Sequence, residues 1–477
     1  MLFYHLKYEF ISLFRNRWIQ TLSFLLLIMC LFAAYNGQQK VVKRVEDIQK
    51  AKAEVQKGDS LARLVLDSLE AGHEVSIPEW RRPNLPTTIG FRHPRVADMP
   101  PAPLALIAVG QSDMFTHYVQ PTLSGEDFTM NFSELSSPVQ LLFGSFDLAF
   151  VLIYLLPLVV IAFSYNLLSA EREQGSLRLL ASQHVYLLAW LFQKAMLRFM
   201  ILTIVIIPVI VIALGVQGVN LADNLRAIGA FLGLSIVYAL FWFSLALGVN
   251  LVGKSSSGNA INLLALWVFL VLLVPSAVNQ LANSLYPLPS RAQMINNMRV
   301  LQAEAEKEQD KILDNYLRNH PELAQKDTSA QEENWWFGYF AAQDLVRNKM
   351  RPIVAQYDGQ LVQQQTWINQ WRFLSPAILL QDSFQELAQT STRHYQSYRE
   401  QIMAFTESWR GFLIPLVFKD QKVDQKILAS LPRFGYQIAQ LESHYGWNLG
   451  AMTAYVLLLW GFSVLVYQQK KTGLALG

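Results

Sequence analysis

Two stretches of this chain carry residue types that can do chemistry. The first is Ala170-Glu171-Arg172-Glu173-Gln174-Gly175-Ser176-Leu177, which follows directly on an apolar, proline-containing run from Leu148 to Leu168. Two carboxylates, a guanidinium and a Gly-Ser step at the mouth of a membrane span suit a short amphipathic element on which a cytosolic partner docks. The second is Gly248-Val249-Asn250-Leu251-Val252-Gly253-Lys254-Ser255, which matches the P-loop pattern G-x-x-x-x-G-K-[ST] letter for letter. A working P-loop needs a strand before it and a helix after it, so that backbone amides cradle phosphates. Here the residues before Gly253 end an apolar run whose amides must bond internally in lipid, so the match reads as accidental. The 8 histidines are scattered, and none forms His-Glu-x-x-His or another metal spacing. Cys30 is the one cysteine, so no disulfide framework or cysteine-based metal site exists within a single chain. No catalytic, cofactor-binding or metal-binding residue is predicted. The aromatic run Trp335-Trp336-Phe337, with Tyr339 and Phe340, is either a ligand platform or plain core, and core is the commoner use.

The elements that position these stretches follow from composition. Of 477 residues, 52% are hydrophobic and 16% charged, against roughly a quarter charged in soluble domains. A formal charge of +3, evenly spread, gives no reason to expect nucleic acid as a partner. A span needs about 20 mostly apolar residues, and six segments qualify: 18–35, 146–168, 196–216, 225–252, 259–285 and 449–467. The predicted fold class is therefore mainly α, a polytopic membrane protein with six transmembrane helices. The first apolar run exceeds the ~7–15 residues of a signal-peptide core, which favours a retained span.

Basic residues set the expected orientation. Lys7, Arg15 and Arg17 precede the first span, and Lys470 and Lys471 follow the last. Arg172, Arg178, Lys194 and Arg198 lie around the loop 169–195, and Lys254 lies in the turn 253–258. The positive-inside rule places all of these, and both termini, in the cytoplasm. Lys40, Lys43 and Arg44 conflict locally, but they open a long loop, where the rule is weak. Residues 1–17 put Leu2, Phe3, Leu6, Phe10, Leu13 and Phe14 near one helical face, as an interfacial helix does. Residues 468–477 form a cytoplasmic tail.

Two large insertions are predicted to face outward. Residues 36–145 begin with a charged helical stretch from Val41 to Glu70 and become proline-rich from Pro78 to Pro103, with Leu104–Val109 read as a short strand. Residues 286–446 read as mostly helical, over 292–319, 335–373, 378–412 and 422–444. Each has the length of a small domain, and the two are expected to pack together. No predicted cytoplasmic piece reaches the ~50 residues of a folding unit.

The Glu-x-Glu-x-x-Gly-Ser stretch, the interfacial first helix, six spans, a tight turn between spans four and five and a large insertion before span six resemble type-2 ABC-transporter permeases. Similarity extends to the bacterial branch with large outer domains, which includes gliding-motility and copper-site-maturation permeases. The resemblance implies a membrane subunit of an ATP-driven transporter in the bacterial inner membrane, working with a dimer of a separate ABC ATPase that binds ATP and Mg. It also implies a second permease protomer, identical or related. Carried over, Glu171, Arg172, Glu173, Gly175, Ser176 and Leu177 form the coupling helix. Glu171 and Glu173 would contact the ATPase, Gly175 would allow the turn, and Ser176 would cap the following helix. A non-transporting mechanotransmitter or scaffold acting on periplasmic machinery shares every cytoplasmic feature, although six spans per subunit, rather than four, favour transport.

Residues for a translocation path are read from polarity inside spans. Asn259, Asn262, Ser276, Gln280 and Asn283 fall near one face of the fifth span, and such residues face protein or water rather than lipid. Asp147, at the outer end of the second span, lines a gate or is solvated at headgroup level. Gly229 and Gly233 permit close helix packing. The segments around Leu379 and Leu413 (373–380 and 411–418) are apolar but too short to cross. They either dip into the outer leaflet to close an exit or belong to the core of the outer domain.

Overall fold

The computed structural model describes residues 9, 11, 15, 17–110, 116–124, 145–177, 186–307, 309–320, 335–438 and 444–476. Most of the interfacial segment 1–17 thus lies outside the described residues. The chain is mainly helical, and among the described residues six helices are long and apolar enough to cross a membrane, the pattern of a multi-pass membrane protein.

The first span is the beginning of α1 (Arg17–Glu70), a single helix of 54 residues, about 80 Å long at ~1.5 Å per residue. The sequence suggested a break after residue 35. Instead the helix runs on through Gly37, where a Cβ would sit 2.3 Å from the Leu106 carbonyl oxygen. Glycine inside a helix costs roughly 0.5–1 kcal/mol against alanine, and this close approach is the reason for it. Leu104–Val109 is not a strand. It is a buried run of turns wedged against the spans, with the Ile107 carbonyl accepting from the Ala149 amide. Between the two lie α2 (Pro86–Arg92) and β1 (Ala97–Asp98), which pairs antiparallel with β2 (Tyr118–Val119).

The second span is jointed. It contains α3 (Leu148–Phe150), a π-helical turn over Val151–Leu155 and α4 (Leu156–Ser164), and it closes on α5 (Ser169–Glu173). Pro157 has no N–H to give, and the Ile153 carbonyl is taken instead by the Tyr238 hydroxyl at 2.9 Å. After α6 (Leu187–Val216) and α7 (Leu225–Val252), the fifth span repeats the device. Its parts are α8 (Ser256–Trp267), a π turn over Val268–Leu273 and α9 (Val274–Leu285), with Pro275 at the joint. The Leu270 carbonyl accepts from the Ser375 hydroxyl at 2.6 Å. In each case a neighbouring side chain satisfies a backbone group that lipid would leave unpaired.

The remaining chain is α10 (Arg291–Lys307), α11 (Gln309–Asn319), α12 (Trp335–Trp371), α13 (Pro376–Leu387), α14 (Thr392–Phe418), α15 (Gln425–Ala429) and the sixth span, α16 (Tyr445–Leu476). The expected helix over 378–412 is two helices, broken where Gln389 adopts φ +54°, a conformation uncommon for a residue with a Cβ. The expected helix over 422–444 shrinks to α15 and an extended run through Pro432, which cannot donate to a helical ladder.

Two cores result. One joins the spans: Leu26 and Cys30 of α1, Leu152 and Val160, Leu202 and Ile210, Phe231, Tyr238 and Trp242, with Met452 and Val456 of α16. The other builds a head from both insertions, with Leu66 of α1, Ile89 and Met99 packed against Phe337, Phe340, Tyr398, Trp409, Leu413 and Phe418. The expectation that the insertions pack together holds. So does the reading of Phe337 and Phe340 as core, each such buried side chain being worth about 1.5–3 kcal/mol. By contrast, a Cβ on Gly229 or Gly233 would meet nothing, so this pair makes no close helix contact among the described residues.

Candidate functional site

The Glu171–Leu177 stretch sits where the second span ends, and it is bonded to three other parts of the membrane region. Leu177 is 2% exposed and packs with Leu167, Leu168, Trp190, Leu191, Leu247 and Leu251, so the loop is anchored by an apolar foot. Gly175 has φ +74°, the left-handed turn that glycine adopts without steric cost. Ser176 turns back rather than forward. Its hydroxyl donates to the Glu171 carbonyl at 3.2 Å and to the Glu171 carboxylate. The expected role of Ser176 as cap of the following helix cannot be followed, because residues 178–185 lie outside the described residues.

The three charges of the motif all find partners inside the chain. Glu171 accepts from Lys194 of α6 at 3.0 Å. Arg172 donates to the Gly253 carbonyl at the end of α7, 2.7 Å away. Glu173 accepts from the Ser256 amide at 2.7 Å and its hydroxyl at 2.9 Å. This carboxylate therefore lies on the first turn of α8, where unpaired amides and the helix dipole favour an anion. Glu171 and Glu173, expected to face a partner, are also bonded within the chain. Their carboxylates clamp the loop to the third and fifth spans, because bonding partners at Lys194 and Ser256 are already in reach. Among residues 169–177, Glu173, Gln174 and Gly175 remain exposed.

Behind the loop lies a buried polar relay. Asn250 of α7, fully buried, donates to the carbonyls of Ser164 at 2.9 Å and Ala246 at 2.8 Å, and accepts from the Leu168 amide at 3.2 Å. Asn259 of α8 donates to Asn250 Oδ1 at 3.1 Å and to the Tyr165 carbonyl at 3.2 Å. These amides brace the turn Tyr165–Leu168 alongside its own backbone bonds, such as Tyr165 N–H to the Ile161 carbonyl and Arg172 N–H to the Leu168 carbonyl. A second bundle of charge joins here: Arg198 pairs with Glu9 at 2.6 Å and donates to the Phe163 carbonyl at 2.7 Å and to Asn166 at 2.8 Å. Lys194 lies 3.8 Å from Glu9. One cluster thus ties the start of the chain, the loop and α6 together.

The P-loop-like run has no phosphate cradle. Residues through Val252 are helical, Gly253 terminates α7, and Ser255 caps α8 by accepting from the Gly258 amide at 3.2 Å. Gly253 is required, since a Cβ there would fall 1.7 Å from Asn259 Oδ1.

The candidate path residues separate. Asn262, Ser276, Gln280 and Asn283 are exposed on the fifth span, whereas Asn259 is buried in the relay. Asn262 lies in an open groove of about 600 Å³ between α7, α8 and α16, otherwise lined mainly by Leu245, Val249, Leu266, Phe269 and Phe462. Asp147 is buried and caps the second span, accepting from Phe150 at 2.9 Å and Gly110 at 3.3 Å. It therefore holds a joint and is not solvated. Leu379 is fully buried among the spans, but Leu413 is not beside it, because the 411–418 segment belongs to α14 in the core of the head. Asn448 of α16, buried and bonded to Asp382 at 3.1 Å and Ser383 at 3.0 Å, seats α13 on the sixth span. Sequence reasoning passed over it as one polar residue at a span end.

Among known proteins, residues 291–437 match a family described as "Domain of unknown function (DUF3526)". That segment covers most of the head and none of the spans. No curated protein matches the chain.

Proposed function

We propose that this chain is the transmembrane permease subunit of an ATP-driven ABC transporter. A separate ABC ATPase dimer binds ATP and Mg and docks at the loop around Gln174. A second permease protomer, identical or related, completes the membrane unit in the bacterial inner membrane, with the head on the periplasmic side. The observation that carries this reading is the triple attachment of the loop: Glu171 to the third span, Arg172 to the end of the fourth, Glu173 to the start of the fifth. A push on the exposed Glu173-Gln174-Gly175 edge is delivered to all three at once, which is what a coupling element has to do. Affinity purification of the full chain from its own membranes tests the proposal. It should bring down an ABC ATPase whose hydrolysis rises when the two are reconstituted together; recovery without any ATPase would overturn it.

A second reading has an observation of its own. α1 runs without a break from the membrane into the core of the head, where Leu66 is buried. A rigid rod of this kind carries motion outward as readily as a path carries substrate, and it supports an ABC-type mechanotransmitter or scaffold acting on periplasmic machinery. ATP-dependent uptake or release of substrate by sealed vesicles separates the two.

A further inference from the structure

The head contains a cleft of about 390 Å³ between α12 and α14, within the size range of small-molecule sites. One wall is apolar: Val354 and Ala355 of α12 with Met403 and Ala404 of α14. The other carries three guanidiniums, Arg347, Arg351 and Arg410, against two carboxylates, Asp358 and Glu407. These charges are unevenly paired. Arg347 is neutralised by Asp344 and Glu407, each at 2.5 Å, and Asp358 is held from behind by Arg399 at 2.7 Å. Arg410 is 4% exposed and gives one N–H to the Leu123 carbonyl. Neither Arg410 nor Arg351 has a carboxylate partner among the described residues. The remaining Arg410 N–H groups have no protein acceptor among the described residues and are not sealed from solvent, so they are open to a ligand in the cleft. Burial and the nearby Arg347 press the pKa of Arg410 below its ordinary value, partly opposed by the more distant Glu407 and Asp344 carboxylates.

We propose that this cleft binds a small soluble anion, a carboxylate or phosphomonoester carried on a compact apolar body. Its charged group would sit between Arg351 and Arg410, and its body against Val354, Ala355 and Met403. Planar guanidiniums suit both oxyanions, since each offers paired donors at the spacing of two oxygens. The ligand is soluble rather than a lipid headgroup because of position along the helix. α14 starts beside the spans, where Thr390 donates to the Ala108 carbonyl. Arg410 then lies about 27 Å further along at ~1.5 Å per residue. This proposal is independent of the transport reading. It gives the head a ligand whichever way the membrane part works.

The test is calorimetric titration of the full chain in lipid nanodiscs with benzoate, phenyl phosphate, inorganic phosphate and neutral benzyl alcohol. Benzoate or phenyl phosphate should bind at least about tenfold tighter than benzyl alcohol, the scale of one charge-assisted hydrogen bond. The better of the two identifies the ligand class. Arg351→Gln, at an exposed position that leaves the fold undisturbed, should weaken that binding about tenfold. Ala404→Glu, adding a carboxylate at the rim, should do likewise. Equal binding of benzyl alcohol, an unchanged affinity in both variants, or no heat from any probe would overturn the proposal. Inorganic phosphate binding as tightly as phenyl phosphate would remove the apolar body from it.

Discussion

Glu173 and Ser256 form a closed pair: both carboxylate oxygens of the first are engaged by the second, at 2.7 Å through the backbone amide and 2.9 Å through the hydroxyl. The pair joins the end of the second-span segment to the first turn of the fifth-span helix. It is exposed, so solvent can replace either bond, and its value lies in transmission more than in folding. Glu173→Ala should leave insertion and thermal unfolding close to wild type, while ATPase stimulation by the chain falls several-fold. A large drop in unfolding temperature, with stimulation intact in the folded fraction, would reverse that assignment.

Gly253→Ala probes the turn beside this pair. The new methyl would meet Asn259 Oδ1, and Asn259 cannot swing away without releasing Asn250 and the Tyr165 carbonyl. Overpacking of this kind costs about 1–3 kcal/mol. Thermal unfolding in detergent should therefore show a lower midpoint. Glycine at 229 or 233 is the control, since alanine there meets open space and should change little in a single protomer.

Leu379 and Leu413 resemble each other in sequence context but should fail differently. Leu413→Ala opens a hole in the head core, where such truncations cost about 2–5 kcal/mol. Limited proteolysis should then cut the head while the spans stay assembled. Leu379→Asp instead places a charge among Phe231, Val271 and Met452, so loss of the folded membrane region is expected. Matching proteolysis patterns would contradict the assignment of the two residues to separate cores.

Glu386 supplies a pH dependence. Burial, and then repulsion from Asp382, raise its carboxyl to about 7, partly opposed by bonds from the His444 and Tyr445 amides and by Arg393. The folded protein therefore holds a proton that the unfolded chain releases near 4.5. Stability is highest below that value and is lost as pH rises toward 7. Hydrogen exchange at the His444 amide, which donates to Glu386 at 2.9 Å, should accelerate between about pH 5 and 8 beyond its intrinsic rate. Glu386→Gln should flatten that excess; an unchanged profile would contradict the shift.

The spans were legible because lipid leaves the chain so little choice: about 20 apolar residues must form a helix that satisfies its own backbone. The left-handed turn at Gly175 agrees with the role that the family resemblance implied for it. What the sequence hid is long-range. The bonds of Glu171 to Lys194 and of Glu173 to Ser256 join residues that only folding brings together. The continuity of α1 depends on Leu106 accepting Gly37, and the break near Gln389 on the seating of α13 against α16. Leu104–Val109 has the composition of a strand, but its burial as turns against the spans is decided by long-range packing.

The most direct test of the coupling account is site-specific photo-cross-linking from Gln174, exposed at the tip of the Glu171–Leu177 loop, in intact cell membranes. The account predicts a covalent adduct with an ABC ATPase whose yield changes when ATP is trapped in the ATPase, and no such adduct from a probe at exposed Ile261 in the fifth span. Efficient probe incorporation at Gln174 with no ATPase among the adducts would contradict it.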